Sequence, residues 1–281
     1  MLTDLHIHTR LSDDAEQNEN NCVFGYCEKA KELGLQYIAI TEHCDIIQDK
    51  GTGGLINADL EKCADLVLTE KRKMLEEGRS SLTLLHGIEL AHAHTQKEQA
   101  KKVLSEQKYD FVIGSLHVLK NGFDFWQCDY SGYSDELLGR LFSDYLGELY
   151  EIVSECDFDT LAHCTYPLRY YARNAKVPDL CKNPSIYKEQ YTKIFKKLIE
   201  RGKALEINTS CIKNGGVMLP TEDLIKLYYD LGGRYVTLGS DSHDVKYLGS
   251  GINEAEQLLK EIGFDGACVF VERKPRIIPF K

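Results

Sequence analysis

Short apolar runs alternate along this chain with longer stretches of helical period. The runs are Leu2–His8, Leu35–Thr41, Leu82–Leu90, Tyr109–His117, Phe158–Cys164, Lys203–Ser210 and Tyr235–Ser240. Several are apolar without interruption, as strands covered on both faces are. Between them, Leu60, Ala64, Val67, Leu68, Met74 and Leu75 form one stripe of a helix over Asn57–Glu77. Ile186, Tyr187, Tyr191, Ile194, Phe195, Leu198 and Ile199 do the same over Pro184–Glu200. Asn183 before Pro184 reads as an N-cap with proline at the first helical position. Thr221, followed by Glu222 and Asp223, opens another helix with acid at its positive end. Gly34, Gly202 and the Gly232-Gly233 pair follow three of the helices, where a left-handed C-cap is expected.

Seven such β-α units in 281 residues predict a parallel sheet closed into a TIM-like (β/α) barrel, with an open doubly wound sheet as the competing topology. No linker, repeat or low-complexity stretch divides the chain, so residues 1–281 are expected to form a single domain. Two stretches break the alternation. Val118–Tyr133 is long, aromatic and glycine-containing, and Thr165–Lys182 carries Arg169, Tyr170, Tyr171 and Arg173. Long loops in compact domains are often pocket walls.

Charge narrows the partners. Lys and Arg total 34 against 44 Asp and Glu, a net charge of −10, which disfavours nucleic acid and anionic membranes as partners. No apolar run approaches the ~18 residues of a membrane span. The ten cysteines include no C-x-x-C pair, and Met1 leads into no apolar leader. A reduced, cytoplasmic protein is expected.

The chemistry concentrates at strand ends. His6 and His8 lie in the first strand, where alternation puts both on one face. His43, His117, His163 and His243 end or follow later strands, and Asp4, Glu42, Glu89, Glu206 and Asp241 share these places. The carboxyl ends of parallel strands are where such folds build their sites. Imidazole with carboxylate suits Zn, Fe, Mn or Co. His6, His8, Asp14, His43, Glu89, His117, His163, Asp241 and His243 are enough for two or three divalent transition metal ions. Clustered metals are a device for cleaving phosphate esters. His86, near the start of its strand, reads as structural, and His92 and His94 as loop residues.

These residues sit in segments that resemble the PHP (polymerase and histidinol phosphatase) superfamily. The segments are Asp4-Leu5-His6-Ile7-His8 with Ser12-Asp13-Asp14, Thr41-Glu42-His43, Gly87-Ile88-Glu89, Gly114-Ser115-Leu116-His117, Leu161-Ala162-His163 and Ser240-Asp241-Ser242-His243. Leu205–Ser210 followed by Pro220 resembles its histidinol-phosphatase branch, of the non-HAD type. The resemblance implies a distorted (β/α)7 barrel with three metals. It implies His6, His8, Glu89 and Asp241 on the first, Glu89, His117 and His163 on the second, and a first-loop acid, His43 and His243 on the third. The spacing from His8 favours Asp14 as that acid, with Asp13 as the fallback.

The activity so implied is hydrolysis of L-histidinol phosphate, a small phosphate monoester, by metal-activated hydroxide, with Glu89, Asp241 and Arg169 in catalytic places. Arg169 is the expected phosphate-binding cation, and Arg10 a weaker one. Ser115, next to the ligands, and Phe123 and Trp126, in the aromatic loop with Asp124 and Asp129, are the expected substrate-binding residues. A phosphatase for another small phosphate or a phosphotyrosyl protein is the alternative. A nuclease-type phosphoesterase fits the acidic charge less well.

Overall fold

The structure, a computed structural model, describes residues 3–48, 55–78, 81–171 and 183–280. Seven parallel strands follow one another around a nearly closed barrel. They are β1 (Thr3–Asp4), β2 (Tyr37–Ile40), β5 (Thr83–Ala91), β6 (Phe111–Ser115), β7 (Thr160–Leu161), β8 (Ala204–Asn208) and β9 (Val236–Gly239). Six of them lie inside one of the seven apolar runs, and β5 extends one residue past its run, to Ala91. The barrel closes where Leu5 N–H donates to Leu238 O at 2.8 Å and His8 N–H to Ser242 O at 2.8 Å. A lone parallel bridge joins Ile7 to Ser242 there. The open-sheet alternative is thereby excluded.

Helices α1 (Val23–Leu33), α2 (Leu60–Glu76), α3 (Lys97–Glu106), α4 (Asp135–Glu155), α5 (Tyr166–Tyr171), α6 (Lys188–Glu200), α7 (Glu222–Asp230) and α8 (Ile252–Ile262) connect the strands. Gly34 ends α1 at φ 68°, in the left-handed region that favours glycine. The helix expected from Pro184 begins as a 3-10 turn, Pro184–Tyr187, and Asn183 makes no side-chain cap.

Two hairpins are additions to the expected alternation. β3 (His43–Gln48) follows β2 with two residues between them, pairs with the far half of β5, and returns antiparallel as β4 (Leu55–Asn57). β10 (Gly266–Val271) and β11 (Lys274–Pro279) form the second. Cys268, Val269 and Phe270 from it share one core cluster with Leu85, Phe111, Ile113 and Ala204 of the barrel strands and with Ala162, just past β7. The rings of Phe111 and Phe270 stack 5.6 Å apart. Phe270→Ala is expected to lower unfolding free energy by about 3–5 kcal/mol, the usual cost of emptying such a site. Urea denaturation measures it, and a loss under ~1 kcal/mol would show that the hairpin is not part of the core.

Candidate metal centre

The carboxyl ends of the strands face a cleft of about 430 Å³. Glu89, near the end of the long strand β5, is at its centre and almost completely buried. Its Oε2 lies 3.4 Å from His6 Nε2 and 3.5 Å from His8 Nε2, and Asp241 Oδ1 lies 3.7 and 3.5 Å from the same two nitrogens. Its other oxygen, Oε1, lies 3.1 Å from His117 Nε2 and 3.1 Å from His163 Nε2. A third group sits nearer the mouth. There Asp14 Oδ2 is 3.5 Å from His43 Nε2 and 3.1 Å from His243 Nε2, and those nitrogens are 3.3 Å apart. All nine side chains expected to be ligands therefore meet in one cluster. Asp14 joins the imidazoles, whereas Asp13 is exposed on the cleft lining.

The neighbours explain the placement. The first loop is held by Glu42, which accepts from Thr9 N at 3.0 Å and from the Ser12 hydroxyl at 2.6 Å. Glu42 thus shapes the loop carrying Asp14. Asp4 accepts from Ser240 N and Gly249 N, each at 2.8 Å, and locks the segment before Asp241. His163 and Asp241 take φ 21° and 51°. Such backbone is costly away from glycine and tends to mark functional sites.

Electrostatics point to a cation. Burial raises the pKa of Glu89, but the imidazoles of His117, His6 and His43 outweigh it and hold the carboxyl well below its usual range. Asp241 is likewise held down against its burial, by His6 and Arg169. His8, buried among His43 and His243, is driven well below the usual imidazole value, so it stays neutral. His6 Nε2 and both ring nitrogens of His8 make no hydrogen bond although fully buried. Buried polar atoms are rarely left so. Histidine nitrogens and carboxylates converging in this way suit several borderline divalent ions, which take the imidazoles in their neutral form.

Arg169, on α5, reaches the same cleft. Its Nη2 donates to Asp241 Oδ2 at 2.9 Å and to Ser210 Oγ at 2.5 Å. Arg10 is exposed and away from the cleft, and Arg173 lies outside the described residues. Trp126 lines the cleft at 57% exposure.

Two of the expected substrate-binding residues are not among the side chains that line the cleft. Phe123 does not reach the cleft, because its ring packs with those of Phe125, Tyr130 and Tyr133 and staples the loop to itself. Ser115 is fully buried beside Ala91 in the β5–β6 register and does not line the cleft. Asp45, Tyr166 and Tyr170 line it instead. Asp45 Oδ1 is 3.5 Å from His117 Nδ1, and its Oδ2 is 3.7 Å from His92 Nε2. His43, Asp45 and Ile47 alternate along β3 and all line the cleft, a period-two signal already present in the sequence. Tyr166 lies 5.0 Å from both the His117 and His163 rings. His86 bonds Lys108 O at 3.0 Å, remote from the cluster. His94 pairs with Glu148 at 3.0 Å.

Residues 4–210 match the PHP domain, and the chain belongs to that family of barrel metalloenzymes. Over nearly its whole length it is similar to histidinol-phosphatases. A probable histidinol-phosphatase of Thermotoga maritima is 27% identical over 277 residues, 95% of each chain. The histidinol-phosphatase of Lactococcus lactis is 25% identical over 273 residues, 95% of this chain and 93% of that one. A crystal structure of the Lactococcus lactis histidinol phosphate phosphatase, complexed with zinc, L-histidinol and phosphate, superposes with a TM-score of 0.75. That match has 25% identity and covers 98% of this chain and 100% of that one. A structure from Listeria monocytogenes shares the fold at 19% identity and a TM-score of 0.72, over 90% of this chain and 99% of that one. Among the described residues, no helix is long and apolar enough to cross a membrane.

Proposed function

We propose that this chain is a metal-dependent phosphomonoesterase that hydrolyses L-histidinol phosphate to L-histidinol and phosphate. The observation that carries the reading is the convergence of nine His, Asp and Glu side chains around Glu89, with an arginine at the same cleft. The match to histidinol-phosphatases over both chains' lengths supports the substrate. We read residues 1–281 as one domain, because Asp241 and His243, beyond the matched 4–210, complete the cluster that the earlier strands begin.

His6, His8, Glu89 and Asp241 would hold one metal, Glu89, His117 and His163 a second, and Asp14, His43 and His243 a third. Bound there, the ions would supply a water acidified to near neutral pH and positive charge for the phosphoryl oxygens. Zinc is the first metal to test, given the zinc in the Lactococcus lactis structure, and iron or manganese suits the same donors. Arg169 would grip the phosphate, its guanidinium aimed by Asp241, Asn208 and Ser210. L-Histidinol carries an ammonium and an imidazole. Asp45 and Asp124 would complement that charge, and Trp126 would offer the imidazole a ring face.

Three results test this. Metal analysis of protein purified without chelator should give more than one equivalent of transition metal per chain, and a value that stays at or below one after reconstitution would sink the multinuclear reading. In a screen of phosphorylated metabolites, histidinol phosphate should show a kcat/KM well above that of p-nitrophenyl phosphate. A preference for a nucleotide or a phosphotyrosyl peptide would overturn the substrate and leave the metallophosphatase. Trp126→Ala should penalise histidinol phosphate selectively, by about 1–3 kcal/mol in kcat/KM. An equal loss on p-nitrophenyl phosphate would remove Trp126 from leaving-group recognition.

A further inference from the structure

Strand β8 contributes no atom to the nine-residue cluster, yet its Glu206 is 1% exposed and lies directly behind it. We infer that Glu206 is a positioning residue that fixes the ring tautomer of His6 and the backbone turn of His163, so that each presents Nε2 to the metals. This rests on the metal-centre reading above.

Glu206 Oε1 is 2.6 Å from His6 Nδ1. Its Oε2 accepts from His163 N–H at 2.7 Å and from Asn208 Nδ2 at 3.2 Å. The carboxylate accepts from two N–H groups through Oε2, and with Oε1 accepting as well, the His6 ring presents its proton on Nδ1. The lone pair is then on Nε2, the nitrogen that makes no hydrogen bond and faces Glu89 Oε2 at 3.4 Å and Asp241 Oδ1 at 3.7 Å. A carboxylate behind a ligating imidazole is a recurrent device for orienting it. The same group holds His163 at φ 21°, a backbone conformation that needs an outside restraint. Room for the contact comes from Gly239. A Cβ there would stand 2.5 Å from His6 Cβ and 2.6 Å from Glu206 Oε1. Glu206 does not line the cleft and so does not touch substrate.

Glutamine cannot replace it. With its carbonyl toward His6, its amide meets the His163 N–H and the Asn208 amide, donor against donor. With the amide toward His6, the imidazole is driven to the wrong tautomer. Asp159 is the control. It is also a buried carboxylate, but it precedes β7 at the opposite end of the barrel, where it accepts from Val112 N at 2.8 Å and from Arg273 Nε at 2.5 Å.

The test is zinc competition against a chromophoric chelator, using full-length wild type, E206Q and D159N. E206Q should surrender zinc about 10–100-fold more readily than wild type, and D159N should match wild type. Wild-type zinc retention in E206Q, or an equal weakening in D159N, would overturn the positioning role while the metal centre stands. Absence of bound zinc in the wild type would overturn both. Should E206Q fail to fold, 15N NMR of the zinc-loaded wild type decides. The His6 ring should show a slowly exchanging proton on Nδ1 and metal-shifted Nε2, and a proton on Nε2 instead would refute the inference.

Discussion

Glu89→Ala is expected to reduce turnover by about three orders of magnitude or more and to strip the protein of most of its bound metal. The size follows from how many groups the carboxylate serves. Oε1 faces His117 and His163, and Oε2 faces His6, His8 and, at 2.7 Å, His43 Nδ1. The other two carboxylates of the cluster reach less far, Asp14 to His43 and His243 and Asp241 to His6, His8 and His243. Its removal takes a buried negative charge from between five imidazoles, so an entering dication would lose both donor oxygens and their neutralising charge. Metal chemistry is worth several kcal/mol of transition-state stabilisation, and each ~1.4 kcal/mol is a factor of ten in rate. Elemental analysis beside steady-state kinetics checks it. A folded Glu89→Ala protein that retained wild-type metal content and rate would show that Glu89 bridges nothing.

Arg169→Ala should lower kcat/KM by about 10²–10³-fold on histidinol phosphate and p-nitrophenyl phosphate alike, the usual cost of losing one pre-oriented donor to transition-state charge. The side chain is already held where it must act. Asp241 Oδ2 takes one of its N–H groups at 2.9 Å, and the Tyr166 ring lies 5.5 Å from its guanidinium carbon. Its reach is therefore not purchased by ordering when substrate arrives. Lysine should rescue poorly, because an ammonium cannot grip two oxygens while keeping the link to Asp241. A substrate-selective loss would move Arg169 from the phosphate to the leaving group. An unchanged rate would return it to a purely structural pairing with Asp241.

Much of this was legible in the sequence because barrel strands are buried on both faces. Tyr109–His117 and Lys203–Ser210 read as buried strands, and it was the recurrence of histidine and acid at several such strand ends, rather than any one histidine, that pointed to a ligand set. The family motifs then tied His6, His8 and Asp241 together across a distance that no local pattern spans. What stayed hidden was whatever depends on direction. Phe123 and Trp126 are three residues apart in one aromatic loop, and nothing in composition says that the first turns inward to Phe125 and Tyr130 while the second faces the cleft. Asp45 was hidden because β3 follows β2 with only Thr41 and Glu42 between them, so no turn residue announced a new strand. The β10–β11 hairpin falls after the last helix, where the β-α alternation had no place for it. Glu206 stood out as one acid among several, and only the fold shows that it meets a ring from the other side of the barrel.

The seam of the barrel carries a consequence for how the protein is made. His6 and Glu206 are 200 residues apart, as are His43 and His243, and the β1 and β9 segments meet through a few bonds, among them Leu5 N–H to Leu238 O, Ser240 N–H to Asp4 Oδ1 and His8 N–H to Ser242 O. A ribosome delivers His6 and His8 long before Asp241 and His243. Until the final strand docks, the early histidines have no complete cage to offer an ion. On the assignment proposed above, the first and third ions would find complete cages only after that step, and each would act as a clasp across the joint between the earliest and latest parts of the chain.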